Sequence, residues 1–569
     1  MDSKLFHKRM YVPMVIMVLV VLVFIVKLFY LQIIHGRSYE QLADRQYVTT
    51  TSQVFDRGTI YFTQKDGTHV SAATLKSGFK LAVNGKLIDD PEKLYNAIGA
   101  DLKIPKDQFI AMTGKKNDPY IELGTNLGTD VASKISDLKL PGVTLYRNNW
   151  RFYPADNLAS HAVGFMAYKG DDFVGRYGIE RTYNEVLART DQRLYVNFFA
   201  EVFSDISKFI SEPEEKEGDV ITTIEPTVQK NLETVVLEIK EKWNSDRAGG
   251  IIMDPKTGAI LAMALDNEFN INQTRTVTDI TQFNNPLVES VFEMGSIMKP
   301  VIMAIALDQG VVTPTTTYFD QGFVKVGDRT IYNFDKRGRG LANMQTVLNQ
   351  SLNTGMVYVM QRMAKPAFKN QWLSFGFSQK TGVDLPAEGA GLTSNLNTNR
   401  DVEFANVSFG QGVAVTPLEM IRAHAALANG GHLVTPHVVS TIEYPSGLTK
   451  QLDWPVTGQL IKPETQATIT KMLVTVFDNY NNGKLKFDHY SVAAKTGTAQ
   501  IAKPGGGYYG DRNLHTFMAY FPANNPRFIV FLYNQYPKNG AQFSSETLLP
   551  PFSELAKFLF SYYDVPPDR

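Results

Sequence analysis

The apolar positions divide the chain into three textures. From Tyr11 to Val26 every residue is apolar apart from the Tyr hydroxyl; Lys27 interrupts, and Leu28 to Ile34 continues mostly apolar. A hydrocarbon core takes about 20 helical residues to cross. Residues 10–34 are therefore long enough for a single transmembrane helix, with Lys27 near the outer interface and its ammonium reaching water. Lys4, Lys8 and Arg9 precede the run and predict a cytoplasmic tail over 1–9. No small-residue cleavage site follows, which predicts an uncleaved signal anchor with the rest of the chain outside the cytoplasm.

The second texture is mixed. Gln41 to Thr51 is polar and then Thr-rich, a stalk or an entering strand. Residues 52–210 alternate short strand-like runs with turns such as Asp66-Gly67 and Asn84-Gly85, and show no dense cluster of catalytic residue types. Ser211 to Asp219, acidic with Pro and Gly, reads as a linker, so that 35–215 and 216–569 are expected to be separate domains.

The third texture is regular. Thr227 to Trp243 has helical spacing. Gly249–Asp254 and Ala259–Leu265 are apolar runs around the turn Pro255-Lys-Thr-Gly, which predicts a hairpin. Helical patterns follow at 296–309, 345–363 and 417–428. Leu514–Phe521 and Arg527–Tyr533 read as two strands, and Leu548–Tyr563 as a closing helix. Strands at both ends with helices between predict an α+β domain whose central antiparallel sheet is covered by helices.

Composition narrows this little. Hydrophobic residues at 44% and charged ones at 20% are ordinary for globular domains. Lys plus Arg and Asp plus Glu both total 57, which removes the electrostatic case for nucleic acid. The absence of cysteine excludes disulfides, thiolate metal sites and a Cys nucleophile.

Three short motifs carry candidate chemistry: Ser296-Ile-Met-Lys299, Ser351-Leu-Asn353 and Lys495-Thr496-Gly497. Each alone is weak. S-x-x-K recurs at Ser77–Lys80 and Ser136–Lys139, and K-T-G at 256–258 and 380–382, whereas S-x-N occurs at 351 alone. Context discriminates. Ser296 follows Gly295 and opens an apolar helical run, with Pro300 tolerable in the first turn. Lys299 stands one turn on, on the same face. A serine hydroxyl needs a neighbouring base, and a lysine serves if burial depresses its pKa. The helix N-terminus favours negative charge near the Ser296 amide. Ser77 reads instead as part of a Gly-containing turn, and Ser136 as part of a short polar stretch.

Asn353-Thr354-Gly355 reads as a break between two helices, which sets Ser351 and Asn353 on a loop or helix edge; a helix cap is the alternative. Lys495 lies among small residues, as in an edge strand onto which an extended peptide can be laid. There Gly497 permits close approach, while Lys495, Thr496 and Thr498 offer charge and hydroxyls to a carboxylate. The K-T-G at 256 and 380 read as turns. His161 falls in the upstream pattern, and His424 and His515 in apolar runs that read as core rather than as members of a Ser–His–Asp triad.

In that order the three motifs resemble the penicillin-binding proteins and related β-lactamases. The likeness extends to Gly250-Ile-Ile-Met-Asp-Pro-Lys-Thr-Gly-Ala-Ile-Leu-Ala-Met, to Phe292-Glu-Met-Gly-Ser-Ile-Met-Lys-Pro, to Phe409-Gly-Gln-Gly with Thr416-Pro417, and to Ala494-Lys-Thr-Gly-Thr-Ala, which look like class B members. Upstream, Arg57-Gly-Thr-Ile, Arg151-Phe-Tyr-Pro, His161 with Gly164, and Gly178-Ile-Glu resemble the elongated pedestal (dimerisation-like) domain of that class. S-x-N in the second motif resembles the division-type subgroup more than the elongation type. Ile297 and Met298 depart from the common Ser-Thr-Phe-Lys form and should pack inward, and Tyr61 and Phe62 stand where an Asp usually follows the Arg-Gly-x-Ile run.

The resemblance implies a membrane-anchored serine D,D-transpeptidase needing no metal or organic cofactor. Ser296 would attack the D-Ala–D-Ala carbonyl of a peptidoglycan stem peptide with Lys299 as base. The N–H groups of Ser296 and Thr498 would hold the oxyanion. Ser351 would pass the proton on, Asn353 would orient substrate or Lys299, and Lys495, Thr496 and Thr498 would hold the terminal carboxylate, with Gly497 beside them. β-Lactams would acylate Ser296, and a SEDS-type glycosyltransferase with other division or elongation membrane proteins would be partners. An anchored D,D-carboxypeptidase, a β-lactam sensor and a non-catalytic scaffold for a glycan polymerase are the alternatives.

Overall fold

The computed structural model describes Met17, Lys27 and residues 55–189 and 216–569. The expected span at 10–34 (apart from Met17 and Lys27), the stretch Gln41–Thr51 and residues 211–215 of the expected linker lie outside the described residues. Among those described, no helix is long and apolar enough to cross a membrane.

Two compact units are present, a smaller one that includes Lys76–Trp150 and a larger one of Arg57–Leu75 with Arg151–Arg569. In the smaller unit, the end of strand His69–Val83 pairs antiparallel with Ile121–Leu127, Val83 opposite Ile121. Helices Pro91–Leu102, Lys106–Thr113 and Thr129–Asp137 supply Leu94, Ile98, Phe109 and Ile135 to a core with Leu81 and Val83. Asp90 caps the first of these helices. Ser77 and Gly78 lie inside the long strand rather than in a turn. Gly78 serves close packing there, since a Cβ would stand 2.4 Å from Leu127 O.

The larger unit is built on a five-stranded antiparallel sheet. Its strands are β1 (Arg247–Met253), β2 (Ile260–Leu265), β3 (Ala493–Ala502), β4 (Tyr508–Phe521) and β5 (Phe528–Gln535), in the order β3-β4-β5-β1-β2. Alternate side chains serve opposite faces. Ile252, Val530 and Leu532 pack with helices α1 (Pro226–Trp243) and α6 (Ser544–Tyr562). Ile251, Ile529 and Phe531 join the core that holds α2 (Lys299–Asp308) and α5 (Pro417–Ala428). Burial on both faces is why these strands read as apolar runs rather than as alternating ones. The strand β3 is an edge, as its small residues suggested.

Two expected helices differ from what forms. The run at 296–309 becomes a 3-10 turn, Gly295–Met298, followed by α2 from Lys299. Gly295 enters that turn at φ +61°, so the helix dipole begins one turn after Ser296. The pattern at 345–363 splits into α3 (Met344–Asn349) and α4 (Asn353–Met360). The break falls before the expected Asn353-Thr354-Gly355: Ser351 adopts φ +54°, and those three residues form the first turn of α4.

The larger unit also buries a charged network made by the upstream motifs. Glu180 accepts from Arg57 Nε at 2.7 Å and from Arg151 Nε at 2.6 Å, and Tyr153 OH donates to it at 3.1 Å. Burial alone would push the Glu180 carboxyl up; the two guanidinium charges override it and hold it below its usual range.

Candidate active site

The turn that carries Ser296 is held by three separate elements. Gly295 N–H donates to Gly410 O at 3.1 Å. From β4, Thr516 Oγ1 donates to Met294 O at 2.9 Å. From α5, His424 Nε2 lies 2.7 Å from Ile297 O, and because a carbonyl only accepts, the ring nitrogen carries the proton. Burial pushes His424 down to about 4, so it remains a neutral donor. Glycine is required where β3 passes the turn, since a Cβ on Gly497 would stand 2.8 Å from Met294 O and 2.3 Å from Thr516 Oγ1. Ile297 and Met298 point into the core, which explains why apolar residues are accepted there.

Lys299 is fully buried. Its Nζ meets three oxygens of the second motif: Ser351 O at 2.6 Å, Ser351 Oγ at 3.1 Å and Asn353 Oδ1 at 2.8 Å. Ser351, at φ +54°, presents both its carbonyl and its hydroxyl to the lysine. Asn353 is itself held by donation from Nδ2 to Tyr332 O at 3.0 Å. None of these partners is a carboxylate. Burial, then the charge of Lys495, hold Lys299 well below the usual lysine range. Lys495 is also buried, donates to Thr496 O at 2.9 Å, and is pushed down to about 7 by burial.

Ser296, Ser351, Asn353, Lys495, Thr496 and Thr498 line one cleft of about 430 Å³; Lys299 reaches that lining through its bonds to Ser351 and Asn353, and Gly497 lies between Thr496 and Thr498 on β3. A second cleft of about 970 Å³ meets the first at Ser296, Asn353 and Thr498 and runs past Gln500, Asn513 and Asp511. The other S-x-x-K and K-T-G matches lie elsewhere. Ser136 belongs to helix Thr129–Asp137, and the K-T-G at 256 forms the β1–β2 turn. The one at 380 lies in a loop where Thr381 donates to Glu388. His161 is buried against Glu268 and Gln282 O, and His515 against Thr547 Oγ1.

Sequence reasoning missed several residues of the cleft. Tyr480 OH accepts from Thr496 N at 3.1 Å and shares a hydrogen bond of 3.1 Å with Thr496 Oγ1. Ser544 N donates to Thr498 Oγ1 at 3.2 Å. Phe334 and Phe543 stand at the junction of the two clefts. Tyr480 and Ser544 reach the third motif from 16 and 46 positions away and leave no local pattern. Among the described residues, no group of three or more His, Asp or Glu side chains could hold a metal ion.

Comparison with known proteins agrees with this geometry. Residues 248–554 match the penicillin binding protein transpeptidase domain, and residues 37–201 the penicillin-binding protein dimerisation domain. The chain is 28% identical over 494 residues to penicillin-binding protein PbpB of Mycolicibacterium smegmatis, covering 84% of this chain and 76% of the relative. It is 29% identical over 532 residues to stage V sporulation protein D of Bacillus subtilis (92% and 81%), and 27% identical over 529 residues to peptidoglycan D,D-transpeptidase FtsI of Escherichia coli K12 (89% and 85%). The apo crystal structure of penicillin binding protein 3 from Mycobacterium tuberculosis superposes with a TM-score of 0.66 at 28% identity, covering 74% of this chain and 92% of that one. The chain belongs to the class B penicillin-binding proteins, the peptidoglycan D,D-transpeptidases that join a dimerisation domain to a penicillin-binding transpeptidase domain.

Proposed function

We propose that Ser296 is the acylated nucleophile and Lys299 its base. The observation that carries this is Lys299 itself: a fully buried lysine, one turn from Ser296, whose partners are all neutral oxygens of the S-x-N motif. Three acceptors satisfy an ammonium. When the amine is neutral, one N–H is gone and a lone pair is free to take a proton from Ser296. The proton then leaves through Ser351 Oγ to the departing D-Ala amine. The N–H groups of Ser296 and Thr498 hold the oxyanion; losing one such donor typically raises the barrier by about 3–4 kcal/mol. Lys495, Thr496 and Thr498 hold the terminal carboxylate, Gly497 lets β3 approach, and Asn353 fixes Lys299 and the substrate amide.

These roles give the clefts directions. The leaving D-Ala departs through the smaller cleft, where Lys495 and Thr496 lie, and by microscopic reversibility the acceptor amine arrives there. The donor stem lies along the edge of β3 in the larger cleft.

In the same reading, residues 1–9 are a cytoplasmic tail and 10–34 the signal anchor. Residues 35–215 are the pedestal and 216–569 the transpeptidase domain, both on the outer side of the cytoplasmic membrane. The S-x-N form supports a role at septation, and a SEDS-type glycosyltransferase is the partner that supplies glycan strands. The test is acyl exchange: a donor peptide ending in D-Ala–D-Ala, incubated with the full chain and a labelled D-amino acid, should yield the exchanged peptide. Ser296→Ala should abolish it, and hydrolysis with no exchange at any acceptor concentration would favour the carboxypeptidase.

A further inference from the structure

The acyl-enzyme of a transpeptidase has two fates. In transfer, the amine nitrogen bonds to the acyl carbon, the Ser296 ester C–O bond breaks, and the amine proton reaches Ser296 Oγ through Ser351 and Lys299. In hydrolysis, water does the same with a new C–O bond and the same proton route. Every catalytic group is shared, so the outcome depends on which nucleophile reaches the ester.

Two phenylalanines stand at that point of access. The rings of Phe334 and Phe543 lie with centroids 5.5 Å apart and planes at 75°, the attractive edge-to-face arrangement. Phe334 is 60% exposed and Phe543 39%, so the pair sits at the mouth rather than in the core. Both line both clefts, as do Ser296, Asn353 and Thr498.

Each ring is fixed to a different motif. Beside Phe334, Asn333 Oδ1 accepts from Thr354 N at 3.2 Å and from Thr354 Oγ1 at 3.0 Å, while Tyr332 O accepts from Asn353 Nδ2. Asn333 is locked in turn by donation to both Asp320 carboxylate oxygens at 3.1 and 3.0 Å. Beside Phe543, Ser544 N donates to Thr498 Oγ1 at 3.2 Å. The ring contact therefore closes a loop from the S-x-N motif to the strand of the third motif, at the mouth that Ser296 also lines.

We propose that Phe334 and Phe543 form an aromatic divider that selects amine over water at the Ser296 acyl-enzyme. This rests on the assignment of Ser296 and of the two clefts given above. At the mouth that both clefts share, the apolar ring faces offer water no hydrogen-bond partner beside the ester once the donor stem fills the larger cleft. The smaller cleft is left as the route for the amine. The divider positions and selects; it touches no transferred proton.

The experiment measures hydrolysed against exchanged product from one donor peptide at a fixed D-amino acid concentration, using the full chain. A ratio from a common intermediate does not depend on how many molecules are folded. Phe334→Ala and Phe543→Ala should each raise hydrolysis relative to transfer by about two- to tenfold, the factor one edge-to-face pair carries. The double variant should exceed neither single by much, since both remove the same contact. Phe334→Leu, which keeps apolar bulk, should fall between wild type and Phe334→Ala and keeps the test decisive where the alanine variant is unstable. An unchanged ratio in both alanine variants, or strictly multiplicative effects in the double, overturns the divider while leaving Ser296 in place. A wild type that forms no Ser296 acyl-enzyme overturns the nucleophile assignment and the divider with it.

Discussion

Two of the places where the larger unit buries charge treat it in opposite ways. Around Glu180, two guanidiniums and one carboxylate meet within 2.7 Å, and the remaining donors of Arg57 reach Asn184 Oδ1 and Glu180 O. Around Ser296, two lysines are buried just as deeply, and their hydrogen bonds go to neutral oxygens. A buried pair is held by mutual attraction, and removing one member leaves an uncompensated charge. A buried cation without a counter-anion is instead poised: it loses its proton readily or welcomes an incoming carboxylate. The first arrangement fixes chain segments, and the second leaves two cations with neutral oxygens as partners.

Substitutions at the two places should therefore differ in kind. The largest effect is expected at Lys299→Met, which keeps apolar length and removes the proposed base. The rate of Ser296 acylation by a β-lactam should fall by about 10²- to 10⁴-fold, while the thermal midpoint stays level or rises. A loss of fold would place Lys299 with the structural charges. Next, Glu180→Gln should lower the unfolding free energy by about 3–5 kcal/mol, leaving two guanidiniums unneutralised, yet acylation per folded molecule should hold. A change below about 1 kcal/mol in urea unfolding would break the contrast.

Lys495→Met should reverse that sign. A lysine at about 7 in the folded chain and 10.5 unfolded binds fewer protons when folded between those values. Stability therefore rises with pH across that window, and the penalty of burying the charge is complete below pH 7. The variant should gain about 2 kcal/mol at pH 6 and progressively less toward pH 10, while carboxylate-bearing substrates bind poorly. Thermal melts at two pH values check this. In the wild type, acylation per unit of free enzyme should decline above about pH 7 as Lys495 loses its charge. Lys495→Arg, always charged, should remove that descending limb; a limb unmoved by the arginine would assign it to another group. The smallest effect belongs to Tyr480→Phe, which removes a neutral partner of Thr496 and should weaken the carboxylate site by about 1 kcal/mol, read as a rise in KM.

Much of this contrast is legible in the chain, for physical reasons. The strands of the sheet are covered on both faces, so they appear as unbroken apolar runs. The helix α5 announces itself through Thr416, Pro417 and Glu419, which form a capping box around a proline in the first turn. The motifs could be sorted from their duplicates because only Ser296 opens a long apolar stretch. What stays hidden depends on backbone angles or on distant contacts. The break at Ser351 is a positive φ, which no periodicity records. The hairpin Phe323–Val326 with Arg329–Tyr332 buries Val326 and Ile331 but exposes Phe323 and Tyr332, so its pattern gives a mixed signal. His424 reads correctly as a core residue, but its grip on Ile297 O depends on a contact 127 residues away.

We propose that a lysine whose proton affinity is depressed by burial activates one serine. This is tested most directly by intact-mass and peptide mass spectrometry after incubation with penicillin. One adduct per folded chain is expected, carried by the peptide containing Ser296, absent in Ser296→Ala and greatly slowed in Lys299→Met. An adduct on another residue, or equal labelling of Ser296→Ala, would contradict it.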